Sequence, residues 1–188
     1  DPYRAAEAKT AIEAAREKFA GKLTLCYGLE LGQPYTYPDI VKTLCGECGF
    51  DFIVGSLHNL VNTPDFSFLK YEKMPQPLID SLWERALDET ERLLLGFEGA
   101  PINSLAHLTY PLRYIKRSGR DLDMPRFFGR ISSIYRTLIE RGTALEVNTS
   151  GLRQGAGATF PDFALLKLYR ECGGELVTVG SDAHYARD

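Results

Sequence analysis

Apolar residues along this chain fall into two rhythms. Five short runs, rich in β-branched or aromatic residues, stand at Lys22–Leu31 (KLTLCYGLEL), Asp51–His58 (DFIVGSLH), Ile102–Tyr110 (INSLAHLTY), Thr143–Thr149 (TALEVNT) and Glu175–Val179 (ELVTV). Their length and composition predict strands. Helical segments are predicted between them: a charge-rich amphipathic helix at the start, then Pro38–Cys48, Leu78–Gly96, Pro125–Arg141 and Pro161–Cys172. In the third of these, Leu82, Ala86, Leu87, Leu93 and Leu94 recur at helical spacing, with Glu84, Arg85, Glu89, Glu91 and Arg92 between them. Pro125 and Pro161 fit first-turn positions, and Gly142 and Gly173 fit C-terminal caps. Strands alternating with helices of this length predict parallel βαβ units. With no internal repeat and no low-complexity linker, residues 1–188 read as a single domain.

Composition narrows the picture by exclusion. A chain of 188 residues with 44% hydrophobic and 25% charged content is that of an ordinary globular domain. A net charge of −3 supplies no basic stripe to neutralise phosphates, so no nucleic-acid partner is expected. The longest apolar stretches, such as Leu93–Leu95, are too short to cross a bilayer, so no membrane partner is expected either. Four cysteines, Cys26, Cys45, Cys48 and Cys172, do not make a disulfide framework, and a reducing cytoplasm is the expected compartment. Cys45 and Cys48 have zinc or redox spacing but no second pair, and are expected to be ordinary helix-end cysteines.

The candidate chemistry sits at the strand ends. The first run ends near Glu30, the second at His58, the third passes His107, the fourth carries Glu146 and Asn148, and the fifth leads into Asp182 and His184. The chain has three histidines, and all three lie at or just past a predicted strand end, where parallel α/β folds build their sites. Singly, each residue has an ordinary explanation: a hydrogen-bonded histidine, a helix-capping Asp182, a surface Glu30, a Glu146 paired with a lysine. Together, five convergent Glu, Asp and His side chains make a costly charge cluster unless a metal or protons neutralise it. Imidazole with carboxylate and no thiolate suits zinc, manganese or iron.

The stretches YGLELG, DFIVGSLHNL, LAHLTYP, ALEVNTSGLRQ and VTVGSDAH resemble successive motifs of the PHP (polymerase and histidinol phosphatase) superfamily. Within it, LEVNTSGLR and GSDAH are most like the histidinol phosphatases of histidine biosynthesis. The resemblance implies an α/β fold, a distorted (β/α)7 TIM-like barrel of which about five parallel strands are present here. It implies a metal-dependent phosphoesterase that hydrolyses L-histidinol phosphate, a small phosphorylated substrate. It also implies that Glu30 bridges two metals, that His58 and His107 complete one site, that Asp182 ligates a neighbouring metal and that His184 ligates a third. Glu30, His58, His107 and Asp182 would thereby carry the catalysis. Arg153 would contact the substrate phosphate, and Glu146 and Asn148 would support the ligands rather than join them. The family's opening His-x-His pair has no counterpart in this sequence, so the first two βα units are expected to be missing and His184 is expected to lack its metal partners. A homo-oligomer could then cover the exposed strand edges. The alternatives are a PHP phosphoesterase acting on another phosphate ester, such as a nucleotide, and a non-catalytic interaction domain of the same fold.

Overall fold

The computed structural model describes residues 2–95 and 101–186. The predicted helix end at Gly96 lies outside them. Five parallel strands form one sheet in sequential order: β1 Gly28–Gly32, β2 Phe52–Ser56, β3 Ser104–Leu105, β4 Ala144–Asn148 and β5 Val177–Gly180. Glu30 stands opposite Val54, Ser104 opposite Ala144, and Glu146 opposite Thr178. The helices are α1 Pro2–Lys18, α2 Pro38–Cys48, α3 Gln76–Leu95, α4 Tyr110–Arg117, α5 Phe128–Arg141, the single turn α6 Ser150–Arg153 and α7 Phe163–Glu171.

The core is an interlock of α3 and α5 over the sheet. Ile79, Trp83, Ala86, Leu87, Leu93 and Leu94 of α3 are buried together with Ile131, Ile134, Tyr135 and Leu138 of α5, against Leu105 and Leu145 from the strands. A smaller cluster of Leu31, Val41 and Ile53 seats α2 on β1 and β2. Gly55 lets α3 come this close, since a Cβ there would stand 2.8 Å from Ile102 Cγ2 and 2.9 Å from Leu93 Cδ2. Side chains alternate across a strand, so the opposite face collects the polar positions, where Ser104 Oγ meets Thr178 Oγ1 at 2.7 Å.

Several elements differ from the sequence expectation for identifiable reasons. The first strand begins at Gly28 rather than Lys22. The third is two residues long and yields to α4 at Tyr110, because Pro111 sits in the first turn of that helix, where its missing N–H costs nothing. Helix α1 carries no apolar stripe. Its residues are mostly exposed, and it is tied down by polar contacts: Arg16 Nη2 to Asp51 Oδ2 at 2.5 Å and Tyr27 Oη to the Ala5 carbonyl at 2.6 Å. Pro161 lies ahead of α7, whose cap is Asp162, its carboxylate accepting the Leu165 N–H at 3.1 Å. Pro125 belongs to a 3-10 turn, Met124–Phe127, that leads into α5. The bounds of α2 and the left-handed Gly142 after α5 are as expected. The four cysteines are free thiols, with Cys45 and Cys48 half-buried at the end of α2.

Candidate metal centre

Three adjacent strands deliver three side chains to one point. Glu30 comes from the middle of β1, His58 lies two residues beyond β2, and His107 two residues beyond β3. Glu30 Oε1 is 3.1 Å from His58 Nε2 and 3.2 Å from His107 Nε2, and the two Nε2 atoms are 3.4 Å apart. Local hydrogen bonds fix the loops that carry the histidines: the Phe66 N–H donates to the His58 carbonyl at 2.9 Å, and the Tyr110 N–H to the His107 carbonyl at 2.7 Å. The His58 and His107 rings stack at 5.2 Å, and the Tyr110 ring lies 5.0 Å from each.

Electrostatics follow from this geometry. Hydrogen bonds from His107 and His58 hold the Glu30 carboxyl far below its usual range, against the opposing effect of burial. The same bond to Glu30 raises the His58 imidazole above its ordinary value, with burial working the other way. Burial pushes the Tyr110 hydroxyl up, so it stays a neutral phenol. That hydroxyl donates to Asp65 Oδ1 at 3.2 Å and accepts from Tyr114 Oη at 3.0 Å.

The three ligand atoms lie within 4.8 Å of one another, the one such group among the described residues. One carboxylate and two imidazoles are a donor set suited to a zinc-type ion. The group opens into a cavity of about 230 Å³, also lined by Tyr110, Arg113, Tyr114, Gln154, Asp182 and His184.

The remaining predicted residues lie around this cluster. Asp182 lines the cavity, its Oδ2 3.7 Å from Arg113 Nη2. Its φ of 53° is unusual for a residue with a side chain. His184 lines the same cavity, its Nδ1 3.0 Å from the Asp182 carbonyl. Arg153 clamps this turn from outside, donating to the carbonyls of Ser181 at 3.0 Å and Asp182 at 3.2 Å. Glu146 and Asn148 meet each other, and Glu146 accepts the His107 N–H at 2.8 Å.

Arg113 escaped the sequence reading. It is 4% exposed, and its guanidinium sits among aromatic faces with Phe160 at 4.9 Å and Tyr110 at 5.3 Å. The available signal is Tyr110, Arg113 and Tyr114 at helical spacing, one face of a helix announced by Thr109-Tyr110-Pro111 two residues past His107.

A sequential parallel α/β sheet, with a carboxylate–imidazole cluster at its carboxyl edge, defines a (β/α) domain with a donor set for a divalent ion. No protein-family profile matches the chain. It is 35% identical over 139 residues to the "probable histidinol-phosphatase" of Thermotoga maritima, covering 72% of this chain and 49% of that protein. It is 24% identical over 178 residues to the histidinol-phosphatase of Lactococcus lactis, covering 94% of this chain and 64% of that protein. The crystal structure of the Lactococcus lactis histidinol phosphate phosphatase, complexed with zinc, L-histidinol and phosphate, superposes with a TM-score of 0.77 at 22% identity, over 95% of this chain and 66% of that one. The chain thus spans about half the length of the Thermotoga relative. Along most of its length the chain is similar to histidinol phosphatases, which belong to the PHP superfamily, and it shares their fold.

Proposed function

We propose that the chain carries a metal-dependent phosphomonoesterase site acting on L-histidinol phosphate, yielding L-histidinol and phosphate. The observation that carries this reading is the placing of Glu30, His58 and His107 in one cavity with the buried cation Arg113. Zinc, manganese or iron would be held by Glu30, His58 and His107, with Asp182 and His184 offering donors on the far side of the cavity. When bound, such an ion acts as a Lewis acid that acidifies water and neutralises phosphoryl charge. Arg113 holds the phosphoryl oxygens, for which its fork of donors is suited. Its Nε is buried and has no hydrogen-bond partner. Arg153, engaged with the Ser181 and Asp182 carbonyls, shapes the turn that carries Asp182. The relatives named for histidinol phosphate, one of them solved with zinc, L-histidinol and phosphate, support the choice of substrate.

The test is phosphate release by the zinc-loaded chain from L-histidinol phosphate, a nucleoside monophosphate and p-nitrophenyl phosphate. Preference for L-histidinol phosphate by at least about tenfold in kcat/KM, roughly 1.4 kcal/mol of transition-state discrimination, is expected. Equal or better turnover of the nucleotide would reassign the substrate. Among the described residues, no helix is long and apolar enough to cross a membrane.

A further inference from the structure

A buried guanidinium needs something to hold it where a phosphate can reach it. By hydrogen bond, Arg113 engages Ser150 Oγ through Nη2 at 2.6 Å, and Asp182 Oδ2 stands further off at 3.7 Å. The polar path continues from Ser150. Its hydroxyl donates to Asn148 Oδ1 at 2.5 Å, and the same oxygen accepts the Ser150 N–H at 3.0 Å. Asn148 Nδ2 then donates to Glu146 Oε2 at 3.2 Å, and Glu146 Oε2 accepts the His107 N–H at 2.8 Å. Every side-chain donor in this path points from Arg113 towards Glu146, so each hydrogen has one assigned acceptor. Asn148 is 1% and Ser150 0% exposed, which keeps water from replacing these partners. The path begins at the cation of the cavity and ends on the backbone of a candidate metal ligand.

We propose that Ser150, Asn148 and Glu146 are positioning residues that fix Arg113 relative to His107, and so set the span between the phosphate-binding cation and the metal cluster. The inference rests on the reading of Arg113 as the phosphate ligand. Glycine at the end of β5 makes room for the arrangement, because a Cβ on Gly180 would collide with the Glu146 carboxylate. The Gly180 carbonyl is in turn held by the Thr149 N–H at 2.7 Å and the Thr149 hydroxyl at 3.0 Å. The sheet end, the α6 turn and the α4 helix are thereby locked to one another through polar contacts.

The test is a double-mutant cycle read by calorimetric binding of inorganic phosphate to the zinc-loaded chain. Ser150→Ala should weaken phosphate binding roughly tenfold and Arg113→Met roughly a hundredfold, as expected when a hydrogen bond to a charged group is lost. The double variant should bind no more weakly than Arg113→Met alone, because Ser150 acts through Arg113. Zinc affinity of Ser150→Ala should stay within about twofold of the parent, a constancy that general unfolding would not give. Additive losses, an unchanged phosphate affinity in Ser150→Ala, or no phosphate binding by the parent chain would each overturn the proposal. Should Ser150→Ala not fold, Asn148→Asp gives the same cycle, because it sets a carboxylate against Glu146 where an amide donor stood. Intact coupling without turnover of L-histidinol phosphate would refute the proposed substrate and leave this inference standing.

Discussion

Zinc uptake by the Glu30–His58–His107 cluster should depend on pH with a slope set by His58. Its Nε2 is 3.1 Å from Glu30 Oε1, and that bond favours the imidazolium, raising His58 above its ordinary 6.5. A metal takes the bare nitrogen at about 2.0 to 2.1 Å, so the proton must leave before the ion enters. Below the His58 pKa each ion therefore displaces at least one proton, and apparent affinity falls about tenfold, or about 1.4 kcal/mol, per pH unit. Competition against a colorimetric zinc chelator at pH 5.5, 6.5, 7.5 and 8.5, at constant ionic strength, reads the slope directly. Equal affinity at pH 5.5 and 6.5 would refute the hydrogen-bonded pair as the resting state of the cluster. The stability of the metal-free chain runs in the opposite sense. A raised His58 pKa contributes stability that is fully present below 6.5 and is lost as pH rises through the folded value. The depressed Glu30 contributes above 4.5 and loses its share as pH falls through the folded value. This pair thus stabilises the metal-free chain most between about pH 4.5 and 6.5, modestly, since the Glu30 side chain is 43% exposed and screened by water. Zinc should stabilise it most above that window.

Other outcomes follow from single contacts. Glu30→Gln keeps the shape of the cluster and removes its one negative charge, so zinc affinity should fall by at least about a hundredfold, and the His58 pKa, followed by NMR, should drop towards 6.5. Arg113→Met should lower the melting temperature, because it takes the counter-charge from Asp182 and the donor from Ser150 Oγ; an unchanged or higher temperature would mean that the desolvated cation is a net cost to the fold. Trp83→Ala, at a side chain 1% exposed, should cost about 3–5 kcal/mol in chemical denaturation. Gly55→Ala should cost about 1–3 kcal/mol by overpacking against Ile102 and Leu93.

What the sequence made legible was decided by how local each signal is. The alternation of strands and helices, the parallel sheet and the bounds of α2 came from apolar periodicity and from Pro38, features carried within one short window. Glu30, His58 and His107 stood out because each follows or lies in a run whose strand character is strong. The third strand and α4 are not separated by the sequence, because INSLAHLTY mixes apolar and small polar residues with neither period dominant, and a buried helix start and a buried strand look alike in such a stretch. Arg113 was lost with that helix. Its burial depends on Phe160, Ser150 and Asp182, each brought near by the fold from more than thirty positions along the chain. The opening helix departs in the other direction: its charges predict an amphipathic face, but α1 is held by Arg16 and by Tyr27 through polar contacts that no periodicity announces.

The order of the strands brings Glu30, His58 and His107 together, while Asp182 stands beside an arginine. Neighbouring strands in a sheet stand about 4.8 Å apart, so residues at the carboxyl ends of β1, β2 and β3 can converge on one ion with ordinary side-chain reach. Asp182 follows β5, two strands further along from β3, a lateral step of about 10 Å before any turn is counted. Arg113, from α4, lines the same cavity as the cluster and stands 3.7 Å from Asp182 Oδ2. A phosphoryl group in the cavity would meet positive charge from Arg113 on one side and from an ion on Glu30, His58 and His107 on the other. Asp182 serves in this arrangement as the near counter-charge of Arg113, and Glu146 as the remote one through Asn148 and Ser150. A second ion on Asp182 and His184 would therefore compete with Arg113 for the same carboxylate. Zinc titrated beyond the first equivalent should accordingly bind more weakly to the parent chain than to Arg113→Met, and equal second-site affinity in the two would refute that competition.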